Sequence, residues 1–241
     1  MIAGLRAAAR LTEAFGEPER AARYDAGAAR MRDGLGAVLW NEREQRFARM
    51  ASPGPNGYTL DMTMDSSLLG LVEFGALAPD DPRAESTTRQ VEERLWVHTD
   101  IGGLARYEND AYHQVERQDT KGVPGNPWFI STLWLARYRL LRARTADQLA
   151  GGLELIEWAA RRALPSGVMA EQLHPYTGEP LSVSPLTWSH AAYVRVVREY
   201  LDRTAHLNRC PTCGQLGART TRLTDRLTAI PDGDEPHPVH S

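Results

Sequence analysis

Cysteine is scarce in this sequence: the 241 residues hold two, Cys210 and Cys213. They are too few and too close for a disulfide framework, which fits a reducing compartment or metal binding. Positive charge is not in excess either, with 28 Lys+Arg against 31 Asp+Glu and a formal net charge of -3. Such a balance offers no field for phosphate backbones or anionic membranes, so neither nucleic acid nor a membrane is an expected partner. Apolar runs stay well short of the roughly 18 residues that a membrane-spanning helix needs. The first residues lack a charged segment followed by an apolar stretch, so the sequence as it stands reads as soluble and cytoplasmic. Strand alternation is rare, and fixed-length repeats, which a solenoid scaffold would require, are missing. What remains is 42% hydrophobic residues, enough to bury the core of one sizeable domain.

Helical spacing dominates the pattern. Residues 2–15 are rich in alanine and leucine, and Gly16-Glu17-Pro18 ends that helix and starts another reaching about Trp40. Residues 41–58 are broken by Pro53, Gly54, Pro55 and Gly57 and read as a loop with a short hairpin near 46–50. Two more helices are expected over 61–75 and 82–96. Ile130, Leu133, Trp134, Tyr138 and Leu141 then fall at i, i+3, i+4, i+8 and i+11, one face of a helix. Its hairpin partner spans about 147–163, and a last helix runs over 187–203. The pattern predicts an all-α architecture of helical hairpins over 1–205, with a loosely ordered tail over 206–241. An α-hairpin toroid suits it. Chemistry is expected on the two long irregular segments, 97–126 and 164–185, because loops of that length usually carry function.

The first segment holds Gly103-Leu104-Ala105-Arg106-Tyr107-Glu108-Asn109-Asp110-Ala111-Tyr112 and closes on Gly125-Asn126-Pro127-Trp128-Phe129. Guanidinium, carboxylate, amide and aromatic faces are the groups that hold sugar hydroxyls and stack on pyranose rings. The same residues also suit an Arg-Asp pair that locks a loop onto its domain. The second segment holds Ser166-Gly167-Val168-Met169-Ala170-Glu171-Gln172, where apolar flanks would partly desolvate Glu171, a condition that suits a general base near neutral pH.

These strings, followed by Leu186-Thr187-Trp188-Ser189-His190, resemble successive motifs of glycoside hydrolase family 15 in the family's order, most strongly over 102–200. Asp65-Ser66-Ser67-Leu68-Leu69-Gly70 is similar to its prokaryotic and archaeal branch. The resemblance implies the C-terminal part of an (α/α)6 toroid that hydrolyses α-glucosidic bonds by inversion and releases glucose from nonreducing ends of α-glucans. Trehalose or α-1,6-glucan hydrolysis, and a noncatalytic carbohydrate-binding remnant, are the alternatives. It implies that Glu171 is the water-activating base, that Arg106 and Asp110 hold the terminal glucose, and that Trp128 walls the pocket. Tyr107, Tyr112 and Trp188 are further candidates for substrate contact or for packing behind it.

Inversion needs a second carboxyl group about 6.5–9.5 Å from the base. The Trp-Glu-Glu type motif that supplies it in the family is not found here, and Glu42 and Glu44 after Trp40 have different surroundings. The expectation is a fragment that carries the base half of the site, is nearly inactive alone, exposes an apolar face and has the remaining N-terminal part of the enzyme as its partner. No cofactor is required for such chemistry. The Cys210-Pro211-Thr212-Cys213 knuckle has the spacing of half a zinc site that His206, His237 or His240 would have to complete; two free thiols are the alternative.

Overall fold

The computed structural model describes residues 1–55, 57–115 and 121–208. Cys210, Cys213, His237 and His240 lie outside the described residues, so the zinc expectation falls on no described geometry.

Helices α1 (Ile2–Ala14) and α2 (Pro18–Gly34) pack as a hairpin. Gly16 makes the reversal at φ 75, a left-handed conformation that glycine adopts without a Cβ penalty, and the Glu17 N–H reaches back to the Thr12 carbonyl at 2.9 Å. Pro18 then sits in the first turn of α2, where its missing N–H costs nothing. A π-helical turn over Leu35–Leu39 follows, so helical winding stops one residue short of Trp40.

The stretch expected to be mostly loop holds two antiparallel hairpins. Strands β1 (Trp40–Asn41) and β2 (Arg46–Phe47) pair first, then β3 (Met50–Gly54) with β4 (Gly57–Asp61). The expected helix over 61–75 is correspondingly shorter. Asp61 ends β4 and binds the Thr63 N–H, and winding begins only where the Asp65 carboxylate caps the Ser67 N–H. A 3-10 turn over Ser66–Leu69 leads into the short α3 (Gly70–Glu73). Helix α4 (Pro82–Leu95) starts with Asp81 capping the Arg83 N–H and proline in its first turn.

Helix α5 (Phe129–Arg142) is central. Ile130, Leu133 and Tyr138 of the expected face are buried, as are Phe129, Leu135 and Leu140, because α5 packs against both α6 (Ala150–Arg162) and α7 (Thr187–Leu207). Helix α5 also carries Arg137, Arg139 and Arg142, each paired with a glutamate. The α7 helix extends four residues past the expected Arg203, so His206 belongs to its last turn and not to a tail. Strands β5 (Gln172–Leu173) and β6 (Pro180–Leu181) make one small hairpin inside the second long irregular segment. The architecture is all-α, a partial (α/α)6-type arc of helical hairpins, with short strand pairs confined to the loops. Among the described residues no helix is long and apolar enough to cross a membrane.

Several apolar side chains remain exposed. Leu11, Phe15, Met50, Tyr58 and Phe74 are half-exposed or more. Met31, Leu35, Val38, Leu71 and Phe74 help line a largely apolar open cavity of about 870 Å³.

Candidate active site

The irregular segment after α4 is held by a ladder of single backbone pairings instead of a sheet. The Val97 N–H donates to the Gly103 carbonyl at 2.9 Å, Ala105 N–H to Leu95 at 2.9 Å, and Trp128 N–H to Leu104 at 2.9 Å. Leu173 N–H then reaches Pro127 at 3.0 Å, and an isolated bridge pairs Trp128 with Gln172. Both long irregular segments therefore meet at the start of α5, which places Arg106, Trp128 and Glu171 on adjoining strips of backbone.

Arg106 and Asp110 form a bidentate pair, with Nε to Oδ2 at 2.8 Å and Nη2 to Oδ1 at 2.7 Å. Asp110 is almost wholly buried and also accepts the Tyr112 N–H at 3.0 Å. Burial opposes the charge on Arg106, but the hydrogen bonds and attraction of Asp110 outweigh it and raise the guanidinium above its ordinary pKa. Three aromatic rings surround that guanidinium: Tyr107 at 4.7 Å, Trp128 at 4.7 Å and Tyr112 at 5.1 Å from ring centroid to Cζ. The result is a preorganised cation within an aromatic cage, a surface that can hydrogen-bond hydroxyls and stack on a sugar face. A second guanidinium, Arg49, lies 5.7 Å from the Tyr107 ring and is itself paired to Asp61 and Asp65.

The Glu171 carboxylate joins this cage from the other segment. Ser182 Oγ donates to Glu171 Oε2 at 2.5 Å, and Ser182 Oγ lies 3.2 Å from the Tyr112 hydroxyl. Gln172, fully buried, places its Nε2 at 3.4 Å from the same Oε2, while its Oε1 accepts from Asn126 Nδ2 at 2.9 Å. Among the described residues Glu171 makes no ion pair. Both hydrogen bonds to its carboxylate reach Oε2, from the neutral donors Ser182 and Gln172.

Its acidic neighbours are otherwise engaged. Glu108 takes the Arg94 guanidinium on Oε1 and the Met64 N–H on Oε2, Asp65 caps a turn and faces Arg49, and Asp110 holds Arg106. Glu42 and Glu44 lie in the exposed turn between β1 and β2, beside Gln45 and α4. The described residues thus bring one unpaired carboxylate to the cage.

Of the sequence candidates, Arg106, Tyr107, Asp110, Tyr112, Trp128 and Glu171 are brought together. Trp188 stands apart in its contacts: half-exposed at the start of α7, it meets Trp134 edge-on at 6.0 Å, and Trp134 in turn meets Phe74 at 5.6 Å. Ser182, Asn126 and Gln172 were missed as site residues. Asn126 and Gln172 stand within the motifs over 125–129 and 166–172, whereas Ser182 sits among turn residues and carries no signal of its own. The apolar cavity shares Arg49 and Ser67 with the edge of the site but not Arg106, Trp128 or Glu171.

A half-buried basic group ringed by aromatics beside one carboxylate is an inventory suited to binding a sugar. Comparison with known proteins gives the family. The model of glycosyl hydrolases family 15 matches residues 1–161 and 154–198, and the chain belongs to that family. An uncharacterised glycosyl hydrolase of Methanocaldococcus jannaschii is 30% identical over 207 residues, covering 82% of this chain and 31% of its own length. A glucoamylase of Clostridium sp. is 28% identical over 215 residues, covering 80% of this chain and 30% of its own. This chain therefore spans about a third of the length of the curated relatives it matches. In fold it is similar to a bacterial glucoamylase solved in complex with acarbose, with a TM-score of 0.69 at 23% identity over 84% of this chain and 32% of that one. The glucoamylase of Saccharomycopsis fibuligera superposes with a TM-score of 0.62 at 15% identity, covering 84% of this chain and 54% of that one.

Proposed function

We propose that this chain contributes the base half of a glucoamylase-like active site, which hydrolyses α-glucosidic bonds with inversion and releases glucose from nonreducing ends. Arg106 and Asp110 hold the terminal glucose by its hydroxyls, and Trp128, Tyr107 and Tyr112 wall the ring. Glu171 removes a proton from the attacking water as the water oxygen bonds to the anomeric carbon. In the same step the glycosidic bond breaks toward a leaving oxygen that must be protonated from the opposite face. The observation that carries this reading is the Glu171 carboxylate, hydrogen-bonded by Ser182 and Gln172, unpaired among the described residues, and linked through Ser182 to the aromatic cage. Among the described residues the other acidic side chains beside the cage are engaged by arginines, so this reading assigns the general acid to residues beyond them. The remaining part of a family 15 enzyme is the partner that would supply it, and α-glucan oligosaccharide is the substrate class.

The test is glucose release from maltotriose, isomaltose and trehalose by the chain joined to the missing part of a family member, against Glu171→Gln in the same context. Turnover lost with binding retained supports the base assignment; equal turnover on all three substrates removes it. For the chain alone, loss of general-acid assistance is expected to cost about 10²–10⁴-fold in rate. Brisk glucose release by the isolated chain would defeat the half-site reading.

A noncatalytic sugar-binding role has one observation in its favour, the complete Arg106 cage beside a single available carboxylate. It predicts quenching of tryptophan fluorescence by acarbose or maltotriose in the isolated chain, unchanged in Glu171→Gln, with no hydrolysis in any context.

A further inference from the structure

We infer that His190 is a positioning residue for the base: its Nε2 accepts the Met169 N–H at 3.0 Å and so fixes the backbone two residues before Glu171. The inference rests on Glu171 being the base and adds the device that aims it.

Glu171 lies on an irregular segment between α6 and α7, with no helix or long strand of its own to hold it. Its main chain is gripped instead by the first turn of α7. Met169 is held from both sides, because the Leu186 N–H donates to its carbonyl at 3.0 Å while His190 accepts its N–H. The two residues that grip it are one helical turn apart, with the His190 N–H closing on the Leu186 carbonyl at 3.3 Å. Ser189, fully buried, donates its hydroxyl to the Ala170 carbonyl at 2.8 Å. Glu171 then donates its N–H to the Val183 carbonyl at 2.9 Å and accepts the Phe129 N–H at 3.3 Å.

Met169 and Ala170 are buried, so a released N–H at Met169 would find no water to replace its partner. For Nε2 to accept, the imidazole carries its proton on Nδ1. Placement matters here because a misplacement of about 1 Å at a reacting group can cost on the order of 10²-fold in rate. Nothing in the mechanism needs His190 to touch substrate. It acts through Met169.

The experiment is amide hydrogen exchange on the full chain, comparing parent, His190→Leu and His190→Gln. Leucine fills the space without an acceptor, while the glutamine amide oxygen can take the place of Nε2. Peptides covering 165–173 are expected to exchange on the order of tenfold faster in His190→Leu, with α4 and α5 unchanged, and to return to parental protection in His190→Gln. Unchanged protection in His190→Leu overturns the proposal, as does glutamine failing to restore what leucine loses. If His190→Leu loosens α5 as well, His190→Gln alone decides, parental protection supporting the clamp and lost protection overturning it. In the form that turns over maltotriose, His190→Leu is expected to lower kcat about tenfold with KM within twofold, and His190→Gln to recover kcat. Exchange does not require turnover, so a failed clamp and a failed hydrolase reading give different results.

Discussion

Ser182 Oγ stands 2.5 Å from Oε2 of Glu171 and 3.2 Å from the phenolic oxygen of Tyr112, so one hydroxyl joins the Glu171 segment to the aromatic cage. A hydroxyl has one proton to give. Because an ionised carboxylate can only accept, Ser182 donates to Glu171 and Tyr112 donates to Ser182. Ser182 does this from φ 63, a left-handed backbone that costs a non-glycine residue roughly 1–2 kcal/mol. Strain of this kind collects where a side chain must point in one direction.

Replacing Ser182 with alanine removes a hydrogen bond to a charged group, an interaction of about 1.5–3 kcal/mol. In the catalytically complete form, Ser182→Ala should lower kcat by on the order of tenfold with little change in KM, and Tyr112→Phe should do less. Steady-state kinetics on maltotriose checks this, and an unaltered kcat in Ser182→Ala would show that the hydroxyl does not aim the base.

Removing Arg106 strands a buried carboxylate. Breaking a fully buried pair costs about 3–5 kcal/mol, but the Arg106 side chain is 31% exposed, so a discounted loss of about 2–3 kcal/mol is expected for Arg106→Met. Urea denaturation measures it. Sugar binding should vanish in the same variant, read as loss of the tryptophan fluorescence change with acarbose.

Gly103 has φ 95, and a Cβ placed on it would lie 2.4 Å from Trp158 Cζ2 and 3.0 Å from Pro127 Cβ. Gly103→Ala therefore combines backbone strain with a clash against two ring systems and should destabilise by more than about 2 kcal/mol. A lowered urea midpoint with an unchanged slope is the expected signature; a midpoint equal to the parent would contradict this close approach.

The Thr63 backbone N–H, and then the Arg49 side chain, hold the Asp61 carboxyl down from 3.8 to about 2. The folded state thus favours the charged form, so its contribution is complete above the unfolded value near 4 and disappears as pH falls toward 2. Asp61→Asn should be less stable than the parent above about pH 4, with the difference closing by pH 2. Thermal melts across that range test the sign, and a gap that widens on acidification would reverse it.

Much of the helical order was legible because it rests on local chemistry. Ala/Leu-rich residues before Gly16-Glu17-Pro18 spell a helix end and a helix start in neighbouring side chains, and the α5 face repeats at helical spacing. The hairpins over 40–61 were hidden by Pro53, Pro55 and the glycines, which mark turns without saying which strands they join. The 66–73 winding is shorter than the spacing predicts because the Asp61 bond to Thr63 and the Asp65 cap on Ser67 delay its start through specific hydrogen bonds. In the site, Arg106, Asp110, Trp128 and Glu171 were legible as motif residues, whereas Ser182 and His190 act through partners 11 and 21 positions away.

Composition and spacing by themselves determined an all-α chain and two loops with the residue types suited to sugar, since helical periodicity, capping and motif order are written over a few neighbouring positions. Only the tertiary structure decided which described carboxylate beside the cage stays free of an ion pair, that Trp188 packs on Trp134, and that the first turn of α7 grips the segment before Glu171. Those outcomes depend on which side chains reach one another across long separations, and a hydrogen bond or an ion pair is satisfied by distance in space, to which position along the chain is blind.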